Sequence, residues 1–470
     1  MKSLVLFIIF ITNSLLVSAQ IFDVDTLLFS GNSEKRINLV VLSEGYQPDE
    51  LGEFITHATS FKNSMFSQSP FLEYINYFNV FAIKIPSNES GADHPATATD
   101  VNESEITPTF VDTYFNATFD AFGYHRYIYY GIDYTDAAST EVKINSVLAD
   151  NFPTYDQALI LVNTTEYGGT GGKFPIASIS SYDIAIHELG HSLFNLKDEY
   201  FLPDIYYAEA INMTQETNTS LIKWKNWIGT NGVDINPYGS SGVSATWYKP
   251  RHLQCKMELL NKPFCAVCKE GIIEKIHDLI SPIDSYTPEN ITINTPSFPL
   301  DFQLNLIKTI PNSLESIWIL NANNIDNNVD NISIEETDLK TGTNTLTAVI
   351  NDATTSLRVD NHETLHVYTV TWSINYSTLG IETIVSDVNS FNMSVFPNPT
   401  NDVINFTLEN TLDTPLKLEI ISMDGKTIQS YNVTNSENLQ IDMNTWSQGI
   451  YLAKVYANND LIANKRIVKN

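Results

Sequence analysis

Apolar and polar positions divide this chain into three regimes. The run Arg-Ile-Asn-Leu-Val-Val-Leu from Arg36 to Leu42 reads as a buried strand. Ser43 to Glu50 form a polar turn whose Pro48 and acidic residues open a helix, expected to reach Glu73. Phe78 to Ile85 is a second strand, stopped by Pro86 and followed by the polar loop Ser87 to Pro95. Ala158 to Val162 is a third, closed by Gly168-Gly169-Thr170-Gly171-Gly172. Phe174 to Ser180 runs extended, and a helical stripe of Ile186, Leu189 and Leu193 follows, with Ser181 or Asp183 as candidate N-cap. This order predicts an α/β domain around a mixed, twisted sheet.

Beyond Ser281 the pattern changes to short β-rich runs: Ser316 to Leu320, Thr345 to Ile350 and His366 to Trp372. They predict an immunoglobulin-like β-sandwich over 283–378. Residues 379–392 read as a linker. A last all-β unit over 393–470 has strands near Val403 to Leu408, Leu416 to Ile421 and Ile450 to Tyr456, with a hairpin turn at Met423-Asp424-Gly425-Lys426. Between Tyr200 and Gly239 the chain is polar, with Trp224 and Trp227 as packing anchors.

The amino terminus modifies this picture. Lys2, an apolar core from Leu4 to Leu16 and the small residues Val17-Ser18-Ala19 make residues 1–19 a signal peptide. That core is too short to span a bilayer, and no later run is longer, so no membrane span is expected. The mature catalytic domain is expected over 20–282. With 26 Lys+Arg against 55 Asp+Glu and a net charge of -29, nucleic acid and anionic membranes are excluded as partners. The three cysteines, Cys255, Cys265 and Cys268, crowd one short segment. In an exported chain they predict one local disulfide, Cys255 to Cys265 or Cys268, plus a free thiol. A zinc knot completed by His252 is the rival reading.

The chemistry concentrates in His187-Glu188-Leu189-Gly190-His191, an H-E-x-x-H motif. On a helix, His187 and His191 sit one turn apart on one face and can share one zinc ion, while Glu188 holds the water that zinc acidifies. Alone, the motif also fits two ordinary histidines on an amphipathic helix. Metzincins end this helix at a Gly three residues after the second His and supply a third ligand six residues after it. Here those positions are Phe194 and Lys197, which suit neither role. One residue further on stand Asn195, which tolerates a left-handed turn, and Asp198, a good zinc ligand. Asp198 is therefore the expected third ligand, with Glu199 as the alternative. Tyr248 is a candidate oxyanion donor, and Met257 a candidate floor of the site. Ile176, Ala177 and Ser178, beside Pro175, are a candidate exposed edge strand for an extended peptide.

Several ordered blocks resemble the IgA-peptidase family of secreted zinc metallopeptidases. They are Asn38 to Tyr46, Pro86 to Asp93, Tyr167 to Gly172, His187 to Tyr200, and Cys255-Lys256-Met257 with Phe264 to Cys268, spanning roughly Ile37 to Ile280. The resemblance implies a metzincin-like zincin fold and endopeptidase activity on protein substrates, with His187, His191 and Asp198 on one catalytic zinc and Glu188 as general base. The family's separate amino-terminal β-domain is not expected here. Phe396-Pro397-Asn398-Pro399, Gly449 to Val455 and Lys465 to Lys469 resemble the carboxy-terminal sorting domain of type IX secretion substrates. That implies a Bacteroidetes-type bacterium, passage through the outer membrane by the type IX machinery, and release or surface attachment. The Asn-x-Ser/Thr motifs, such as those at Asn88, Asn116 and Asn163, are then accidents of an Asn-rich chain. The rival functions are a catalytically inactive zincin that binds a surface glycan or protein, and a zinc exopeptidase.

Overall fold

The run read as a buried strand, Arg36 to Leu42, enters β2 (Ile37–Glu44) at its second residue, and every residue of β2 is buried. This computed structural model describes residues 20–131, 136–201, 207–294, 296–360, 362–377, 391–410, 415–423, 425–433, 437–458 and 460–470. The signal peptide, most of the expected linker and Asp424 of the hairpin turn lie outside the described residues.

Around β2 stand β1 (Asp23–Leu28), β3 (Phe78–Lys84), β4 (Gln157–Val162), β5 (Gly169–Thr170) and β6 (Ile176–Ser178), in the order β1-β3-β2-β4-β6-β5. The pairs β2–β3, β2–β4 and β4–β6 are parallel, whereas β1 and β5 join antiparallel at the two edges. The sheet is therefore mixed, as expected. Both of its faces are covered, which is why its central strands read as unbroken apolar runs. Leu39, Val41, Leu159 and Leu161 meet α1 (Leu51–Phe66) and α3 (Tyr182–Ser192) on one face. Val40, Leu42, Ala158 and Ile160 meet α2 (Ala137–Asn151) on the other.

α1 ends at Phe66, short of the expected Glu73. Pro70 lacks an N–H and disfavours helical backbone at Ser69, so the helix closes before it. α2 has no counterpart in the sequence reading. Its buried stripe is only Thr140, Ile144, Val147 and Leu148, a faint periodic signal.

After α3 come a two-residue ribbon of β7 (Asn236–Pro237) and β8 (Tyr248–Lys249) and the helix α4 (Ala266–Leu279). Trp224 and Trp227 are buried as anchors, their indole N–H groups donating to Asp234 O (3.1 Å) and Glu270 Oε2 (2.7 Å). The chain then builds a five-stranded and a three-stranded sheet from Ile283 to Tyr376. Their common core holds Phe302, Trp318 and Trp372, the two indoles stacked at 5.8 Å.

One compact unit runs to Tyr376, and a second begins at Ser377. The second pairs a three-stranded sheet (Phe391–Phe396, Val403–Asn410, Glu437–Asp442) with a four-stranded one (Leu416–Ser422, Thr427–Val433, Gly449–Ala457, Asp460–Lys469). Ile404, Phe406, Leu418, Ile420 and Val455 lie in its core. Mixed α/β structure followed by β-rich domains is thus the architecture. Among the described residues no helix is long and apolar enough to cross a membrane.

Candidate metal centre

α3 carries the motif as a true helix. Ile184, Ala185, Ile186 and Leu189 are buried, which presents His187 and His191 along one side. Ser181 occupies the N-cap position, but its hydroxyl accepts from Gly168 N–H (2.9 Å) instead of capping the helix. Asp183 accepts from Lys256 Nζ at 2.7 Å. Asn195 takes the expected left-handed conformation, φ 58°, with its N–H on His191 O. The chain then reverses and delivers Asp198.

Three donor atoms converge there. His187 Nε2 and Asp198 Oδ1 are 3.0 Å apart, His191 Nε2 and Asp198 Oδ1 3.1 Å, and the two Nε2 atoms 3.2 Å. Ligands about 2.05 Å from a tetrahedral zinc stand roughly 3.3 Å from one another, so the triangle fits that ion. The remaining ring nitrogens are already engaged. His187 Nδ1 donates to Lys256 O (3.0 Å) and His191 Nδ1 to Leu196 O (2.7 Å). With the Nδ1–H groups so committed, both Nε2 atoms turn toward Asp198 Oδ1, and loss of an Nε2 proton leaves its lone pair for a cation. Burial alone would raise the Asp198 carboxyl, but the hydrogen bonds from His187 and His191 outweigh it and hold it well below the usual carboxylate range. It is an anionic ligand in waiting.

Glu188 stands beside the triangle, its Oε2 4.0 Å from His191 Nε2. Burial raises its carboxyl, with Asp198 adding to the effect and both histidines opposing it. Gly171 lies against this carboxylate, and a Cβ there would run into Glu188 Oε2. Met257 is wholly buried under α3. Its sulfur would be 3.0 Å from a Cβ on Gly190, and its carbonyl accepts Glu199 N–H at 2.7 Å.

Other sequence candidates fall elsewhere. Ile176, Ala177 and Ser178 are not an exposed edge: all three are fully buried, and β5 covers them, Gly169 pairing with Ala177 and Thr170 with Ile176. The short glycine-rich β5 was too brief to register as a strand. Glu199 is not beside the histidines, because successive side chains diverge at the turn; it is buried against Cys268 Sγ (3.0 Å) and Asn212. Tyr248 packs against the larger core and exchanges backbone hydrogen bonds with Thr214. The tyrosine that faces His187 is Tyr200, ring centroids 6.2 Å apart. Burial first, then Asp198, with Tyr127 and Glu188 after it, raises its phenol, so Tyr200 stays a hydrogen-bond donor. The expected disulfide is not formed: all three cysteines are free, with Cys255 Sγ and Cys268 Sγ 3.5 Å apart.

A group that sequence reasoning missed is His94, Glu103, Asp120 and His125, whose donor atoms lie within 4.8 Å of one another. His94 Nε2 is 3.2 Å from Glu103 Oε1 and 3.4 Å from Asp120 Oδ1. Its members are scattered through irregular loops, with no spacing that would have marked them.

Residues 26–242 match the family model described as IgA Peptidase M64. Over that stretch the chain is similar to M64 peptidases. M64 enzymes are metallopeptidases, and the triangle of His187, His191 and Asp198 lies within the matched stretch, where His187, Glu188 and His191 also bring donor atoms within 4.8 Å of one another. Tyr248, Met257 and the cysteines lie past its end. Residues 394–470 match the model described as Secretion system C-terminal sorting domain, so the protein is exported by type IX secretion to the cell surface or beyond. No curated protein matches the chain.

Solved structures show only faint likeness. They include dimeric latent PorU from Porphyromonas gingivalis, at 12% identity over 40% of this chain and 20% of that one, TM-score 0.16. A Parabacteroides merdae β-glucuronidase gives 8% identity over 47% and 28%, TM-score 0.18. The fibronectin(III)-like modules of Clostridium thermocellum CbhA give 10% over 39% and 94%, TM-score 0.16. This chain thus spans 20% and 28% of the first two.

Proposed function

We propose that this protein is a secreted zinc endopeptidase with a metzincin-like catalytic domain over residues 20–282. The observation that carries the proposal is the 3.0–3.2 Å triangle of His187 Nε2, His191 Nε2 and Asp198 Oδ1, with the Glu188 carboxylate beside it. On this reading residues 283–378 form an immunoglobulin-like sandwich packed on that domain, and 393–470 serve sorting.

His187, His191 and Asp198 would hold a zinc ion, whose Lewis acidity would polarise the scissile carbonyl and acidify the attacking water. Glu188 takes a proton from that water at its carboxylate and passes it to the departing amine nitrogen. Tyr200 donates its hydroxyl to the oxygen on which charge develops. The free edge of β5, with Gly171 next to Glu188, receives the substrate backbone in extended form. A glycine there lets the peptide approach the carboxylate without a side chain between them.

The test is cleavage of casein by the full chain beside its Glu188→Gln form, with zinc measured on both. Internal cuts by the wild type alone, with zinc in both, support the proposal. Equal activity in a zinc-loaded Glu188→Gln protein sinks it. Zinc in both without cleavage favours an inactive binding zincin, and cuts confined to chain ends favour an exopeptidase.

A further inference from the structure

Behind the metal centre lies a second, closed set of donors that the chemistry above does not use. Cys265 sits at the N-cap of α4 and Cys268 in its first turn, while Cys255 arrives on the segment that ends at Met257. Together with Glu199 they place four donor atoms within 4.8 Å of one another, all buried. The 3.5 Å between Cys255 Sγ and Cys268 Sγ is far beyond the roughly 2.05 Å of a disulfide. It is close to the roughly 3.7 Å that separates thiolates 2.3 Å from a tetrahedral zinc. Cys265 N–H donates to Cys255 Sγ at 3.3 Å, an arrangement that stabilises negative charge on that sulfur.

Glu199 supplies an independent observation. It is fully buried, and its Oε2 has no hydrogen-bond partner. Its other oxygen accepts from Asn212 Nδ2 (3.0 Å) and faces Cys268 Sγ (3.0 Å). The nearby ammonium of Lys249 binds the Glu199 backbone carbonyl and the Glu258 carboxylate and makes no hydrogen bond to the Glu199 carboxyl. A buried carboxylate oxygen without donor or cation is costly. His252, the fourth ligand that the sequence offered, is 62% exposed at the side chain and leans on Glu258.

We propose that Glu199, Cys255, Cys265 and Cys268 hold a second zinc ion in a closed, four-ligand structural site. The three thiols lose their protons to solvent on binding, and the carboxylate fills the fourth position. The site goes beyond peptide hydrolysis and does not depend on it, but it buttresses the catalytic centre from two directions. Glu199 adjoins Asp198 along the chain, and Lys256, whose carbonyl orients His187, adjoins Cys255. Fixing the buried ion therefore fixes the third ligand and the ring orientation of the first.

The test uses the full chain loaded with Co²⁺. The centre at His187, His191 and Asp198 offers only nitrogen and oxygen, so thiolate-to-cobalt charge transfer reports the buried site alone. Expected are that band, one zinc per chain more in wild type than in Cys265→Ser, and three titratable thiols after denaturation with chelator. Should Cys265→Ser fail to fold, Glu199→Gln is expected to keep the band while weakening metal affinity at least tenfold. Two thiols missing after denaturation, with no band, would mean a disulfide and overturn the site. Three thiols present with neither band nor zinc would overturn it equally.

Discussion

His277 Nε2 and Asp352 Oδ2 are 2.9 Å apart with both side chains fully buried, joining α4 to the five-stranded sheet that follows it. Asp352 also accepts from Tyr74 OH (2.5 Å) and Ser313 Oγ (2.7 Å). Tyr368 OH, from the same sheet, donates to His277 O at 2.6 Å. The two regions therefore share one polar network, which fits their clustering as a single compact unit.

Burial alone would raise the Asp352 carboxyl, but the His277 and Tyr74 hydrogen bonds pull it below its ordinary value. A lowered folded value stabilises the fold fully above the unfolded Asp value of about 3.9, and the contribution is lost as pH falls through the folded value. Asp352→Ala is expected to cost about 3 kcal/mol near neutral pH. Calorimetric melting of wild type and variant should show this gap narrowing below about pH 4. A gap unchanged down to pH 2 would remove the network from the account.

Asp198→Ala is expected to weaken zinc binding by more than about 100-fold, beyond the effect usual for an outer-shell partner. Activity should fall with metal content. Zinc titration of the full chain decides this, and unchanged affinity would take Asp198 out of the ligand set.

Gly171→Val places a side chain where the Glu188 carboxylate stands. Misplacing a catalytic group by about 1 Å costs on the order of 100-fold, so kcat should drop by that factor while zinc content holds. Wild-type turnover in this variant would mean that β5 does not frame the catalytic carboxylate.

Tyr200→Phe is expected to lower kcat by about 100-fold with little change in KM. Because the phenol is raised above its ordinary value, it keeps its proton through about pH 10. The kcat profiles of wild type and variant should therefore run parallel from neutral pH to that point. An alkaline fall seen only in the wild type would contradict the role.

Local features were legible before folding. The central strands announced themselves because a sheet covered on both faces needs apolar residues at every position. His187, Glu188 and His191 were visible because one helical turn places positions four apart on one face. Asn195 and Asp198 followed from shifting a turn and a ligand together. α2 was missed because four buried residues in fifteen leave little amphipathic signal. β5 was missed because two residues carry no alternation.

The residues of the metal motif, the layered α/β core and the sorting domain were thus set by order along the chain. Their signals arise between neighbours, where helix and strand periods act. Only the tertiary structure decided that Lys256 O orients His187 and that Cys268, not the histidines, takes Glu199; each pair is separated by 69 residues. It likewise decided that β5 and not β6 forms the sheet edge, and that His277 meets Asp352 across 75 residues. Such contacts depend on which packed elements turn toward each other, and no local period records that.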